Sequence, residues 1–193
     1  MVRSIVIAGL LALTLSSAAA DCREEVQKLL EAGPEWTNYR IQTETVMGGN
    51  PVQHSRQDFA DYSHFYQHVK ETGVHWLVLG NQEYMSKDGV VFTPHKERPE
   101  DWYEKQLAQN RMLRETIRDT ECSTVEMDGK PHRLLRHVQE TTEPMETVST
   151  VQSWVDEETG RLMRRHMAVE AGGQEFEINT VYDWDVEISL PEP

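Results

Sequence analysis

Gln174-Glu175-Phe176-Glu177-Ile178-Asn179-Thr180-Val181-Tyr182-Asp183-Trp184 alternates along its length. Phe176, Ile178, Thr180, Tyr182 and Trp184 share one side, opposite Glu175, Glu177, Asn179 and Asp183. Successive side chains of a strand point to opposite faces, so this period of two describes a strand with one buried wall and one wet wall. The same period extends outward on both sides. Gly172-Gly173 turns back into residues 161–170, and Asp156-Glu157-Glu158-Thr159-Gly160 joins those to 147–155. Asp128-Gly129 separates 123–127 from 132–140. Earlier in the chain, Tyr39, Ile41, Thr43 and Thr45 alternate with Asn38, Arg40, Gln42 and Glu44 before a turn at residues 48–51. Residues 53–70 read as one or two strands, with Tyr62, His64, Tyr66 and His68 on one face. Residues 74–79 are apolar on both faces, as in a central, covered strand. Residues 82–86 follow, then an Asp88-Gly89 turn with residues 90–92 as its return.

Two stretches change period. Cys22, Val26, Leu29 and Leu30 form one apolar stripe over 21–32, with Glu24 and Glu25 in the first turn and Gly33-Pro34 as the stop. Residues 99–120 predict a long helix. Pro99 sits at its start, Trp102, Tyr103, Leu107, Leu113 and Ile117 lie within an arc of about 140°, and arginines crowd its second half. The sum is one α+β domain over 21–193: about eight to ten antiparallel strands with one long and one short helix. A sheet of that length curls, and its concave face has to be filled.

At the N-terminus, Arg3 precedes an apolar run over 5–15, and small residues end in Ala18-Ala19-Ala20 before Asp21. This is the pattern of a cleavable secretory signal over 1–20, too short in its apolar part to span a bilayer, which takes roughly 20 apolar residues. Export to a periplasmic or extracellular space is therefore expected. Cys22 and Cys122 are the two cysteines. In an oxidising compartment they predict one disulfide, a staple between the first helix and the body. The net charge of −14 becomes one unit more negative once Arg3 leaves. Such a surface repels phosphate backbones and anionic lipid headgroups, which argues against nucleic-acid partners and nonspecific membrane docking.

No G-x-S-x-G, H-E-x-x-H, P-loop or dinucleotide glycine pattern occurs, and no residue stands out as a nucleophile, so a non-catalytic protein without cofactor or metal is expected. His64 and His68 are four apart, which converges on a helix but leaves them about 13 Å apart along a strand. Metal binding would need helical geometry there or His75 reaching across a hairpin; an exposed polar strand face is the favoured reading. Arg161, Arg164, Arg165 and His166 could meet an acidic partner, but pairing with nearby Asp and Glu on a solvated face is favoured. Met85, Met112, Met163 and Met167 suit either a variable apolar pocket or ordinary core.

Two segments carry a family resemblance. Trp154-Val155-Asp156-Glu157-Glu158-Thr159-Gly160-Arg161-Leu162 resembles a strand–turn–strand built on a D-x-x-T-G turn, and Val181-Tyr182-Asp183-Trp184 through Val186-Glu187-Ile188 resembles the closing strand of the same group. Gly80-Asn81-Gln82-Glu83-Tyr84-Met85 to Val91-Phe92 is similar to a tyrosine-bearing hairpin of its exported members. The group is the LolA/LolB–RseB-like superfamily of periplasmic carriers and sensors. The resemblance implies an unclosed half-barrel covered by helices, with an apolar cavity that shelters acyl or isoprenoid lipid or the acyl chains of lipoproteins. It implies no enzymatic activity; the alternative is a stress-sensing or protein–protein interaction module of the envelope with a filled core. On the first reading, the lining is expected to be Trp76, Val78, Tyr84, Phe92, Leu113, Ile117, Phe176, Ile178 and Tyr182, with strand parity assumed. The expected partners are a hydrophobic small molecule or lipid and an envelope protein, without membrane embedding.

Overall fold

A computed structural model describes residues 11–141 and 146–193, with backbone alone for 11–20. Among the described residues, eleven antiparallel strands form one sheet: β1 (Tyr39–Met47), β2 (Asn50–Asp61), β3 (His64–Val69), β4 (Val74–Leu79), β5 (Gln82–Ser86), β6 (Thr93–Glu97), β7 (Arg118–Met127), β8 (Lys130–Thr141), β9 (Thr147–Asp156), β10 (Leu162–Ala171) and β11 (Gln174–Trp184). Two helices, α1 (Leu11–Ala32) and α2 (Trp102–Glu115), accompany it. The strand order is β6-β5-β4-β3-β2-β1-β11-β10-β9-β8-β7. Two meanders therefore meet at the β1–β11 pair, β6 and β7 remain as free edges, and the sheet is a curved, unclosed half-barrel. α2 carries the chain from one edge to the other across the concave side.

The cross-strand register shows which faces line up. Tyr39 stands opposite Trp184 and Phe59, and Ile41 opposite Tyr182. Met167 stands opposite Ile178 and Val151, and His137 opposite Val151. Phe59 faces Phe65, which faces Val78. This set is the inner wall. Two cores form on it: Val26, Ile117 and Leu135 beneath α1, and Tyr39, Leu162 and Tyr182 beside them. The second is an aromatic cluster, with Tyr39 stacked on Phe59 at 4.7 Å and Trp36 edge-on to Trp184 at 5.3 Å. Such pairs add about 0.5–1.5 kcal/mol beyond the area they bury.

The staple is present: Cys22 and Cys122 form a disulfide with Cα atoms 5.6 Å apart. Beside it, Arg133 pairs with Glu25 at 2.8 Å, a second link from α1 to β8. α1 ends at Ala32, where Gly33-Pro34 opens a single 3-10 turn, as expected. The cleavage point expected after Ala20 falls inside α1; residues 1–10 of the expected signal lie outside the described residues. The Asp156–Gly160 turn is closed by its first side chain: Asp156 Oδ1 accepts from the backbone N–H of Glu158 and Thr159 at 3.0 and 2.8 Å. Gly160 completes it at φ +69°, a region costly for residues with a Cβ.

Three expectations need correcting. The long helix is shorter than 99–120: Thr116 N–H bonds back to Leu113 O and ends it, Asp119 adopts φ +52°, and from Arg118 the chain pairs with β8. The helical stripe continues in sequence, but β8 offers a strand partner that overrides it. Residues 90–92 are not the hairpin return either. The Asp88 carboxylate accepts the backbone N–H groups of Val90 and Val91 at 2.9 and 3.0 Å, which curls the chain so that pairing resumes only at Thr93, opposite Met85. Those two hydrogen bonds hold the Asp88 pKa down at about 2. The strand count reaches eleven because 53–70 divides into two strands and Thr93–Glu97 takes the place of 90–92 as a full strand.

Candidate functional site: a roofed cavity on the concave face

α2 packs its half-buried side, including Trp102, Tyr103, Leu107 and Leu113, toward the sheet, yet none of its residues is fully buried. A helix laid over a filled core buries its apolar stripe; this one roofs a space. The space is a cavity of ≈310 Å³ walled by α1, α2 and strands from both meanders. Leu29 and Leu30 come from α1, Leu113 and Asn110 from α2, and Ile41, Val151, Met167 and Tyr182 from the inner wall. Phe59 and Tyr62 also line a neighbouring hollow of ≈560 Å³ beneath the start of α2, where Phe65 and Trp102 face it. Arg98 stands at the rim of that hollow, paired with Glu83 at 2.6 Å and lying over the Trp102 ring at 4.4 Å. Pockets that hold small molecules measure roughly 300–1,000 Å³, mostly apolar with a few polar groups.

The polar groups of the cavity are sharply selected. No Asp or Glu lines it, and Arg165 is its one Lys or Arg among the described residues. His137 is 3% exposed, and neither of its ring nitrogens has a hydrogen-bond partner of good geometry. Burial pushes the His137 pKa down to about 4; the nearby Gln139 side chain opposes the fall and the charge of Arg165 adds to it. His137 is therefore neutral at pH 7. Burial likewise raises the pKa of Tyr39, helped by Tyr182, and that of Tyr62. All three side chains thus present neutral polar groups to the cavity.

Of the nine residues expected to line a cavity, Leu113 and Tyr182 do so here. Val78 and Trp76 stand on the inner wall toward the β6 edge; Val78 is fully buried opposite Phe65, and Trp76 packs edge-on against His95 at 4.9 Å. Ile178 is on the inner wall, opposite Thr45 and Met167. Phe176 lines a separate hollow of ≈470 Å³ near Gly48 and Gly49. Ile117 is sealed in the core under α1 rather than exposed to the space. Tyr84 and Phe92 are corrections: Tyr84 pairs with Leu77, one residue out of phase with Val78, and Phe92 packs on Tyr66, so both belong to the outer face. There they help explain why the β4 segment reads as covered on both sides, Leu77 outward and Val78 inward. Gly89 brings this cover close, since a Cβ there would stand 2.9 Å from the His75 ring.

His64, His68 and His75, the candidate metal histidines, fall on that outer face. His68 and His75 are cross-strand partners with rings stacked at 4.3 Å, and Tyr66 Oη shares a 2.6 Å hydrogen bond with His75 Nδ1. Burial and the neighbouring His68 lower the His75 pKa. Among the described residues, no group of three or more His, Cys, Asp or Glu is placed to hold a metal ion. Of the basic cluster, Arg161 pairs with Asp185, Arg164 with Asp128 and His166 with Glu177, as a solvated face predicts. Arg165 alone turns inward. Its signal was present in the sequence: in a strand, the residue between two outward partners faces the other way. Of the methionines, Met167 lines the cavity and Met112 is 65% exposed on the roof. No helix among the described residues is long and apolar enough to cross a membrane.

Among solved structures, the chain is similar to MucB in complex with MucA(peri), at 12% identity and a TM-score of 0.44, over 90% of this chain and 59% of that one. It is similar to MucB by itself at 10% identity and a TM-score of 0.42, over 90% and 61%. It is also similar to a LolA superfamily protein from Nitrosomonas europaea, at 7% identity and a TM-score of 0.35, over 91% and 94%. The chain spans about three fifths of the length of the two MucB chains. No family model and no curated protein matches the sequence.

Proposed function

We propose that the protein is a non-catalytic binding protein of the periplasm or another exported compartment that shelters a hydrophobic ligand, an acyl or isoprenoid chain, beneath α2. The observation that carries this reading is the roof without a filling: α2 buries none of its residues fully and leaves ≈310 Å³ lined largely by aliphatic and aromatic side chains. Moving an alkyl chain from water into such a space gains about 0.8 kcal/mol per methylene before ordering costs. That requires no catalytic group and no cofactor, consistent with a sequence lacking both kinds of motif. The disulfide between Cys22 and Cys122 supports an oxidising compartment, and the N-terminal pattern of residues 1–20 supplies the route there.

The test is mass spectrometry of the organic extract from protein purified natively out of an envelope fraction. A co-purifying lipid in near-stoichiometric amount is the expected result. Protein that is empty, and that instead retains an envelope protein, would overturn the carrier reading in favour of an interaction module.

A further inference from the structure

Three side chains on adjacent strands of the inner wall hold buried polar atoms without a hydrogen bond of good geometry: both ring nitrogens of His137 on β8, Ser153 Oγ on β9 and Arg165 Nε on β10. They are neighbours by register, since Ser153 stands directly opposite Arg165 and His137 opposite Val151, two residues along. Buried polar groups are nearly always satisfied, because a donor or acceptor taken out of water without a partner forfeits its hydration. His137 and Arg165 line the cavity and Ser153 is buried in the wall beside them, a place where the protein has kept donors for something else.

Charge narrows what that is. The chain carries 33 acidic residues against 19 Lys and Arg, so an arginine here does not lack potential partners. Arg161 and Arg164 each hold an aspartate. Arg165, next in the chain, has no ion pair among the described residues and lines a cavity with no carboxylate in its wall. With His137 neutral, the cavity holds one positive charge.

Building on the cavity reading above, we infer that Arg165 binds the carboxylate of a single-chain fatty acid, with His137 beside it in the head-group site and Ser153 in the wall behind. A monoanion matches the single guanidinium; a dianion would keep a buried charge uncompensated, which is expensive in a low-dielectric site. Arginine donates two parallel N–H groups to a carboxylate, the arrangement in which such bonds are strongest. The head group then lies against β8–β10, and the tail runs past Phe59 and Tyr62 toward the hollow faced by Phe65 and Trp102.

The experiment compares sodium laurate with methyl laurate, which share one chain and differ in charge, by titration of the full exported chain. Binding is followed by calorimetry and by the fluorescence of tryptophan, since Trp36 is in the cavity wall. Laurate is expected to bind about tenfold or more tightly than the ester, the usual worth of a charge-assisted hydrogen-bonded pair. In R165Q that ratio falls to near one, and in R165K part of it returns. Equal binding of the two probes by the wild type, or a preference surviving in R165Q, overturns the head-group site while leaving a lipid cavity standing. Binding of neither probe overturns the cavity reading and this inference with it. The wild-type comparison decides the matter even if R165Q does not fold.

Discussion

The wall of the half-barrel behaves differently under its two helices. Under α1, Val26, Ile117 and Leu135 are each 3% exposed or less, clamped by the Cys22–Cys122 disulfide and the Arg133–Glu25 pair. Under α2, no helix residue is fully buried and a cavity remains. The boundary is narrow. Leu135 belongs to the packed cluster under α1, while His137, two residues along β8 on the same face, lines the cavity; Ile117 is in that cluster, while Leu113, four residues earlier, forms the roof. Similar apolar side chains thus become core or cavity lining according to whether a helix is held against them. The half beneath α1 is clamped and closely packed, and the half beneath α2 keeps open space.

The contrast can be broken hardest at the clamp. Cys122→Ser opens a loop of 100 residues, and loss of roughly 4 kcal/mol or more of unfolding free energy is expected in urea titration under non-reducing conditions. A loss below 1 kcal/mol would mean that α1 is held by packing alone. Leu135→Ala, which leaves a void in the sealed half, is expected to cost about 3 kcal/mol in the same assay.

His137 tests the hollow half by pH. Its folded pKa of about 4 lies below the ordinary 6.5, so the unfolded chain takes up the proton first. The stability present above pH 6.5 is lost as pH falls toward 4, by roughly 3 kcal/mol in all. In His137→Leu, this part of the acid dependence of urea unfolding should vanish; an unchanged slope would place the proton uptake elsewhere. The smallest effect is expected at the roof: Leu113→Ala should cost less than about 1 kcal/mol, because it enlarges an existing space and leaves no new void. A loss as large as that of Leu135→Ala would mean that the two halves are packed alike.

The alternation of residues 174–184, the Gly- and Asp-bearing turns and the two-sided apolar run of β4 were legible as an antiparallel sheet with a buried wall. The staple followed from two cysteines and the expected compartment. The site was less legible. Tyr84 faces outward because the turn after Leu79 pairs it with Leu77 and gives Glu83 to Val78, and Phe92 because the Asp88 carboxylate curls the chain before pairing resumes. Ile117 reads as helix and lining because the helical stripe carries no sign of the competing pairing of β7 with β8. Arg165 was masked by Arg161, Arg164 and His166 around it, a cluster that reads as one basic patch until alternate residues are sent to opposite faces.

Periodicity is a property of neighbours in the chain, so residues a few places apart suffice to establish strand, helix and turn, and which side of each element avoids water. Whether those dry sides close on one another is a matter of distance between segments about 100 residues apart. Register, the curl of eleven strands and the covalent hold on α1 place one helix in contact with the sheet and leave the other standing off it. Burial depends on that separation, because a side chain loses its water only where another surface comes close enough to exclude it.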